Sequence, residues 1–285
     1  MAKLFLVSTP IGNLGDLSPR AGEALASVSR ILAEDTRRTR KLLSHLGLAV
    51  PLVSLHSHNE ASRLKMVVDS LASGEDLALV SDAGTPLVSD PGRRVVEAVL
   101  DAGFPVVPIP GPSAVLAALV GSGFSGDRFS FLGFLPRKGP ERAELLDRIY
   151  GSPDTVVLFE SPERVADLLT ALSESCGPDR AVAVARELTK VHEEFVRGSL
   201  AQVGAHFQDN RPRGEFVVVV SGSSEAERGT AVDEEAARAL AVALLKDGLT
   251  PSRAAREVAR RLKVPRNLSY DIVQDVSRGD GSRAE

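Results

Sequence analysis

The stretch VSDAGTPLVSDPG, residues 80–92, decides how the surrounding sequence is interpreted. The run DLALV, residues 76–80, predicts a buried strand before it, and RRVVEAVLDAG, residues 93–103, predicts a helix after it. A connection between a strand and a helix needs only about two to six residues, so this loop is longer than the connection requires. Its two Ser-Asp pairs, two glycines and two prolines indicate a stiff polar turn of the kind that carries binding groups.

Strand-like and helix-like segments alternate on both sides of this loop. Five segments predict strands, at 4–8, 30–35, 52–56, 76–82 and 105–111. Five segments between and after them predict helices, at 18–29, 36–47, 59–74, 93–103 and 112–123. This alternation is typical of a mostly parallel sheet covered on both faces. We therefore predict an N-terminal α/β domain over residues 1–121.

The second half of the chain has fewer helices for each strand. Gly-Ser-Gly at 121–123 suggests a hinge, after which we predict a second α/β domain with a mixed sheet over residues 122–224. Its expected strands lie at 129–136, 155–161, 181–188, 193–200 and 214–222, and its expected helices at 139–150 and 163–175. A polar linker then leads to a helical segment, residues 231–277, whose last two helices resemble a helix-turn-helix.

Composition excludes several classes of protein. The chain has 285 residues, of which 43% are hydrophobic and 25% charged, as in ordinary globular proteins. Its net charge of −4 confines any nucleic-acid contact to local basic patches. A single cysteine, Cys176, excludes an internal disulfide framework and fits a reducing cytosol. No apolar run approaches the ~18–20 residues that span a bilayer, so we expect a cytoplasmic location and no membrane contact.

The loops after the first and fifth predicted strands are also polar and rich in turn residues. The first, STPIGNLGDLSP at 8–19, has no GxGxxG pattern, so it does not favour a dinucleotide site. The other is IPGPSAV at 109–115. Because parallel strands end at one edge of the sheet, where ligands bind, we expect these two loops and 80–92 to form one site. The alternative interpretation makes Ser113 and Asp90 ordinary helix caps.

Six motifs in this order carry a resemblance to a known family. They are TPIGNLGD, EDTRRTRKLL, SDAGTPLVSDPG, PGPSA, FLGFLPRK and FESPER. Together they resemble the tetrapyrrole methylase superfamily of S-adenosylmethionine enzymes, and within it the branch that methylates a cytidine 2′-hydroxyl in the decoding region of 16S rRNA. The resemblance covers about residues 3–222. It implies a two-domain fold of the class III methyltransferase type, a methyl-donor cleft between the domains, and a homodimer.

The resemblance also implies which residues contact S-adenosylmethionine. Where the superfamily usually has Gly-Gly-Asp, this chain has Asp-Ala in place of the glycine pair, which matches the rRNA branch. The positions that correspond to the donor-binding pattern are Pro10, Asp82, Ala83, Gly84, Leu87, Ser113, Ala114, Phe159 and Leu188.

A ribose hydroxyl becomes a better nucleophile when a general base within hydrogen-bond distance accepts its proton. The sequence offers several candidates near predicted strand ends and does not choose among them. They are Asp35, His56, His58, Glu60, Glu160, Glu187 and Lys190. The motif HSHNE at 56–60 contains two histidines, but no second His or Cys cluster accompanies it, so we expect no metal site. We favour a polar loop there, or a helix cap from Asn59.

Three local basic patches are candidates for contact with RNA phosphates. They are TRRTRK at 36–41, the Arg-Lys pair after FLGFLP, and the segment 251–266, which carries six basic residues against one acidic residue. The residues that we assign to RNA are Arg37, Arg38, Arg137, Lys138, Arg256, Arg260 and Arg261. The alternative for each patch is a solvated helix face. Because Trp is absent and Tyr occurs twice, phosphate contact is expected to outweigh base stacking.

Three functions are compatible with these features. The first is 2′-O-methylation of 16S rRNA within the assembled 30S subunit, which explains a basic helical segment on an acidic chain. The second is methylation of a small molecule such as a porphyrinoid, which needs an apolar trough and no basic segment. The third is a non-catalytic RNA-binding or assembly factor. Donor binding separates the third from the other two.

Overall fold

The computed structural model describes residues 1–209, 213–223, 234–262, 264 and 266–280, and these contain two five-stranded sheets. The first sheet is entirely parallel and has the order β3-β2-β4-β1-β5. Its strands are β1 (Leu4–Val7), β2 (Arg30–Ala33), β3 (Leu52–Ser54), β4 (Leu77–Val80) and β5 (Val106–Ile109). The parallel sheet expected from the alternating pattern is therefore confirmed.

Helices cover both faces of the first sheet. They are α1 (Pro19–Ser27), α2 (Thr36–His45), α3 (Glu60–Ala72) and α4 (Arg93–Asp101). Alternate residues of β4 point to opposite sides: Ala78 and Val80 pack with α1 and α2, whereas Leu77 and Leu79 pack with α3 and α4. Burial on both sides explains why the strand is continuously apolar instead of alternating.

The second sheet is mixed and has the order β6-β7-β10-β8-β9. Only β6 and β7 pair in parallel, and the other neighbours are antiparallel. Its strands are β6 (Phe129–Phe134), β7 (Thr155–Glu160), β8 (Ala181–Arg186), β9 (Glu194–Ser199) and β10 (Phe216–Val220). One face packs against α6 (Pro140–Gly151), α7 (Val165–Cys176) and α8 (Leu200–Asp209). The mixed sheet is as expected, but α8 was missed, although its buried Leu200, Val203 and Phe207 follow a helical period.

Helix α5 (Ala114–Ser122) joins the two sheets. Although it follows β5 in the chain, its Val115, Ala118 and Leu119 pack against the second face of the mixed sheet. The expected hinge at 121–123 lies mostly within this helix, because Gly121 and Ser122 are helical and Gly123 ends it with a φ of 82°. Side chains from both halves of the chain therefore share one apolar cluster beside α5.

Three further helices form the C-terminal helical segment: α9 (Glu234–Lys246), α10 (Pro251–Leu262) and α11 (Arg266–Asp280). They share an apolar cluster of their own, built largely of small residues such as Ala237, Ala241 and Ala254. None of the helices in the described ranges is both long enough and apolar enough to cross a bilayer.

Candidate active site

A cavity of about 350 Å³ lies between the two sheets. Its first wall comes from Ile11 and from the segments after β4 and β5. Its second wall comes from the ends of β6 and β7, the residues just after β7, and the residues before and at the start of β10. The residues of the first wall are Ile11, Ala83, Gly84, Thr85, Val88, Ser89, Asp90, Ser113, Ala114 and Val115. Those of the second wall are Phe134, Phe159, Glu160, Ser161, Pro162, Gly214, Glu215, Phe216 and Val217. The volume falls within the range of small-molecule sites, about 300–1,000 Å³.

Hydrogen bonds tie the three loops of the first wall together. The amide of Thr9 donates to the carbonyl of Gly84 at 2.9 Å, and the amide of Gly84 donates back at 3.0 Å. The Thr85 hydroxyl donates to the carbonyl of Pro112 at 3.2 Å. Gly84 has a φ of 82°, and a Cβ there would lie 3.3 Å from Ile11, so glycine keeps this part of the wall open. The expectation that the loops after β1, β4 and β5 gather at one edge is confirmed.

The loop from β4 to α4 holds an unusual backbone. Leu87 and Ser89 have φ values of 72° and 68°, a region that residues other than glycine rarely occupy. A Cβ on Gly133 of β6 would lie 3.2 Å from the Ser89 hydroxyl oxygen, so this loop also approaches the second sheet. Strained residues persist where the surrounding structure fixes them, and they cluster at functional sites.

Five of the nine residues assigned to donor contact line the cavity, and four do not. Ala83, Gly84, Ser113, Ala114 and Phe159 belong to the walls. Pro10 precedes the wall residue Ile11. Leu87 packs inward towards Gly92, and Leu188 is 8% exposed in the apolar cluster beside α5.

The carboxylate of Asp82 is engaged by other residues of the protein. Its Oδ1 accepts a hydrogen bond from the amide of Asp35 at 2.8 Å, and its Oδ2 lies 3.6 Å from Nε of Arg38. Asp82 thus fixes the end of β2 against the end of β4, and it stands behind the first wall instead of in it.

The two expected helix caps in these loops have different outcomes. Ser113 does cap α5, since its hydroxyl accepts from the amide of Leu116 at 3.4 Å, and it also lines the cavity. The expectation that Asp90 caps α4 is wrong, because the N-cap is Gly92. The amides of Arg94 and Val95 donate instead to Oε1 of Glu60, at 2.7 and 3.3 Å. Glu60 is thereby committed to holding α4.

A half-buried carboxylate, Asp90, and a buried one, Glu160, line the cavity from opposite walls. Burial, together with the charges of Glu34 and Asp82, raises the pKa of Asp90 on the first wall to about 6, against a hydrogen bond from Ser81. Burial and the charge of Asp82 also raise the pKa of Glu34. Sequence reasoning missed Glu34, although it lies in the quoted motif EDTRRTRKLL.

Glu160 on the second wall is 3% exposed and has basic surroundings. Burial raises its pKa, while a hydrogen bond from the amide of Ser161 at 2.8 Å and three arginines oppose that rise. Nη2 of Arg164 lies 3.2 Å from Oε2 of Glu160, and the other two arginines are Arg142 and Arg137. The carboxylate of Glu160 thus has basic neighbours, whereas that of Asp90 has acidic ones.

The remaining base candidates do not line the cavity. Asp35 caps α2, and hydrogen bonding from Arg37 lowers its pKa to about 2. Burial alone would raise the pKa of Glu187, but hydrogen bonds from Lys190 and from the amide of Glu215 lower it.

The HSHNE segment also lies away from the cavity. His58 is exposed, and His56 is half-buried. Asn59 occupies the N-cap position of α3 as expected, but its side chain accepts from the amide of His56 at 2.8 Å instead of capping the helix. In the described part of the chain no group of three His, Cys, Asp or Glu side chains is arranged to hold a metal ion.

A second cavity of about 480 Å³ adjoins the first through Ser161. It is lined by three arginines, Arg137, Arg142 and Arg164, together with Glu163 and Asp167. The carbonyl of Pro136 accepts from Nη1 of Arg142 at 3.0 Å, and the carbonyl of Leu135 accepts from Nη2 of Arg164. Two guanidinium groups are therefore oriented by the backbone at the end of β6.

Four of the other residues assigned to RNA lie on exposed helix faces. Arg37 pairs with Asp35 at 2.7 Å, and Arg38 faces Asp82. In α10, Arg256 is exposed and Arg261 pairs with Glu257 at 2.6 Å. The side chain of Arg260 lies outside the described residues.

Comparison with known proteins gives close relatives. A family model described as tetrapyrrole (corrin/porphyrin) methylases matches residues 3–204. Three curated proteins with the name ribosomal RNA small subunit methyltransferase I are similar to this chain. The one from Synechocystis sp. is 45% identical over 272 residues, 95% of this chain and 97% of that protein. The one from Bacillus subtilis is 41% identical over 278 residues, 95% of this chain and 94% of that protein. The one from Thermotoga maritima is 46% identical over 222 residues, 78% of this chain and 99% of that protein.

Solved structures share the fold at low identity. The methyltransferase CobJ has a TM-score of 0.60 at 20% identity and covers 78% of this chain and 95% of its own. Uroporphyrin-III-C-methyltransferase from Thermus thermophilus has a TM-score of 0.54 at 21% identity and covers 77% of this chain and 94% of its own. At such identities the likeness shows the fold alone.

Proposed function

The chain belongs to the tetrapyrrole methylase family, and we infer that it is an enzyme that methylates small-subunit ribosomal RNA with S-adenosylmethionine as donor. The observation that carries this inference is the identity of 41–45% over 95% of the chain to relatives named for that activity. The cavity between the sheets supports this inference, since its volume is that of a small-molecule site. The structural neighbours named for small-molecule methylation share only the fold.

The walls of the cavity suit the donor. When bound, S-adenosylmethionine supplies an electrophilic methyl group on a positively charged sulfur. Gly84 lets a ligand approach the backbone, Phe159 and Val88 offer apolar surface, and Ser113 offers a hydroxyl. The enzyme's main task is then to hold the nucleophile in line with the methyl carbon and to exclude water. We propose that Pro10, Asp82, Leu87 and Leu188 act behind these contacts by shaping the loops.

We propose a cytidine 2′-hydroxyl in the decoding region of the assembled 30S subunit as the methylated group. The support is the set of motifs that match the rRNA branch. A 2′-hydroxyl needs a proton acceptor beside the methyl group, and two carboxylates, Asp90 and Glu160, face the cavity. A folded particle as substrate also accounts for basic residues that are spread over separate surfaces of an acidic chain.

We propose that the three-arginine cavity holds phosphates of the RNA beside the methylated nucleotide. Arg142 and Arg164 have their guanidinium groups oriented by backbone carbonyls, and Arg137 is exposed at the rim together with Lys138. Guanidinium groups bind phosphate through paired hydrogen bonds. The cavity shares Ser161 with the proposed donor site, so the two sites are adjacent.

We propose that the C-terminal helical segment adds affinity for the small subunit and does not take part in the chemistry. The outer face of α10 exposes Arg253, Arg256 and Arg261, whereas Ala254 and Val258 are buried against the other helices. The match to the Thermotoga maritima relative covers 99% of that protein but leaves about a fifth of this chain unmatched. A relative named for rRNA methylation thus has no counterpart for about a fifth of this chain.

We also propose a cytoplasmic homodimer. Helix α5 exposes Leu116 and Val120, at 51% and 79%, on the side that faces away from the mixed sheet. Exposed apolar side chains one helical turn apart form a small patch suited to a protein partner. Ribosomal subunits as substrate support the cytoplasm as location.

One experiment tests the activity and its finer details together. The protein is incubated with labelled S-adenosylmethionine and 30S particles from cells that lack the modification, and the labelled nucleotide and sugar position are mapped. We expect one label, on a cytidine ribose 2′-oxygen in the decoding region. A label on a base, or on another nucleotide, contradicts the finer proposal. No transfer to the particles contradicts the activity itself, and donor affinity measured by calorimetry then tells whether a non-catalytic binding role remains.

A further inference from the structure

We propose that Asp90 is the catalytic base that accepts the proton of the ribose hydroxyl during methyl transfer. This inference rests on the proposed 2′-O-methylation. Asp90 lines the first wall of the cavity. It does not cap α4, because Gly92 holds the N-cap position and Glu60 accepts from the amide of Arg94.

The other carboxylates of the cavity are held by cations. Glu160 lies 3.2 Å from Arg164 and accepts a hydrogen bond from the amide of Ser161. Glu215 lies 3.0 Å from Nζ of Lys190. Each of these two carboxylates therefore already has a cation of the protein as its partner. Asp90 is the cavity carboxylate whose neighbours are acidic.

The charged groups around Asp90 come from three strand ends of the first sheet. Glu34 follows β2, Asp82 follows β4, and both raise the proton affinity of Asp90. Arg38 of α2 partly offsets them, since it lies 3.6 Å from Asp82, and His56 after β3 lies close to Glu34. With a pKa of about 6, Asp90 is still ionised at pH 7.5 and is a stronger base than an ordinary carboxylate.

The backbone fixes Asp90 in place. It lies between Ser89, with a φ of 68°, and Gly92, with a φ of 122°, in a loop whose start is pinned by the Ser81 hydroxyl. A Cβ on Gly92 would lie 2.9 Å from carbon atoms of Leu79 and of Leu87, so this close packing requires glycine. A base held by such packing loses little freedom when substrate binds.

The step balances with the donor and RNA alone. As the 2′-oxygen forms its bond to the methyl carbon, the carbon–sulfur bond breaks with its electron pair left on sulfur, and the hydroxyl proton moves to the Asp90 carboxylate. Solvent then removes that proton, because an acid with a pKa of about 6 is deprotonated at neutral pH.

The first test is Asp90→Asn with Asp101→Asn, at the exposed end of α4, as the matched control. General-base catalysis contributes roughly 10²- to 10⁴-fold, so we expect kcat for small-subunit methylation to fall by about that factor. The dissociation constant for S-adenosylmethionine, measured by calorimetry, should change less than about threefold, which also shows that the cavity is intact. Asp90→Glu should recover part of the rate. The control should match the wild type.

The second readout needs neither donor nor RNA. Carbon-13 NMR of the Asp side-chain carboxyls should show one group that titrates near pH 6 in the wild type and is missing in Asp90→Asn. The wild-type pH profile of kcat should rise through the same pH, because the ionised form is the base. Burying that charge also destabilises the fold above this pH, so Asp90→Asn should unfold at a higher temperature than the wild type at pH 7.5, and the difference should vanish below about pH 4.

The outcomes distinguish a failure of the role of Asp90 from a failure of the proposed rRNA methylation. An active wild type with an equally active Asp90→Asn variant overturns the role of Asp90 and leaves the rRNA activity standing. A wild type that transfers no methyl group to small-subunit rRNA overturns the proposed function and this inference with it. An Asp90→Asn variant that has lost donor affinity as well as rate assigns Asp90 to binding, which also contradicts the proposal.

Discussion

Asp90 on one wall of the cleft and Glu160 on the other have opposite electrostatic surroundings. Asp90 on the first wall has Glu34 and Asp82 behind it, whereas Glu160 on the second wall has Arg137, Arg142 and Arg164 around it. Asp90 lies in the loop between β4 and α4, Glu160 is the last residue of β7, and burial raises both pKa values. The difference lies in which charges the fold brings near them.

This contrast assigns different tasks to the two sheets. An acidic environment keeps a proton acceptor strong, and a basic environment attracts phosphates. A methyltransferase that acts on an RNA hydroxyl needs both, because the hydroxyl must lose a proton while its flanking phosphates are held. The parallel sheet supplies the first property and the mixed sheet supplies the second.

The largest expected effect comes from filling the cleft between the walls. Ser113→Trp places an indole in the proposed donor site, and we expect affinity for S-adenosylmethionine to fall by about 1,000-fold, about 4 kcal/mol. Calorimetry measures the affinity, and circular dichroism checks that the protein is folded. Ser44→Trp, on the exposed face of α2, is the control. Donor binding that survives Ser113→Trp means that the donor lies elsewhere and that the two walls do not face it.

Removing the Arg164 guanidinium should leave Glu160 as a buried carboxylate without its ion-pair partner, which destabilises the fold. Breaking a buried ion pair costs about 3–5 kcal/mol. Because the Arg164 side chain is 22% exposed, we expect Arg164→Met to lower the free energy of unfolding by about 2–3 kcal/mol, as measured by urea denaturation.

A second substitution tests whether the loss comes from the charge. Glu160→Gln in the Arg164→Met background removes the stranded carboxylate, so it should restore part of the free energy of unfolding. A double variant that is as unstable as the single one would show that Arg164 acts through its bond to the carbonyl of Leu135 and not through Glu160.

Reversing charge at the rim of the second wall should weaken RNA binding without touching the donor. With Arg137→Glu and Lys138→Glu together, we expect affinity for 30S particles to fall by about tenfold and the dependence of log K on log salt to become shallower. Filter binding at several salt concentrations measures both. Arg148→Glu, on the exposed face of α6, is the control for net charge. Equal slopes in the two variants mean that the rim faces solvent.

The smallest effect should come from neutralising the acid behind the first wall. Glu34→Gln removes a negative charge that raises the pKa of Asp90, so the rise of kcat with pH should shift to lower pH. The pH profile of methyl transfer measures the shift, and Glu23→Gln on α1 is the exposed control. If the midpoint of the pH profile does not move, the charge of Glu34 does not affect the pKa of Asp90. The two walls would then not differ through this charge.

Much of the fold follows from local patterns. Continuous apolar runs such as residues 77–80 indicate strands buried on both faces, and Ser18 followed by Pro19 correctly marks the start of α1. The missed helix α8 also has a periodic pattern, but its first residue follows β9 directly, without a loop between them. Proximity of the loops after β1, β4 and β5 could be predicted because parallel strands end at one edge of the sheet.

The sequence by itself determined the layered α/β fold, the meeting of three loops at one edge of the parallel sheet, and the family, because these depend on periodicity, turn residues and ordered motifs along the chain. Only the tertiary structure decided that Glu60 caps α4, that α5 packs on the mixed sheet, and that Asp90 and Glu160 have opposite neighbours. The reason is physical. A pKa and a hydrogen bond depend on burial and on charges within a few ångströms, and Glu34, Asp82 and Asp90 become neighbours only when distant strands pair.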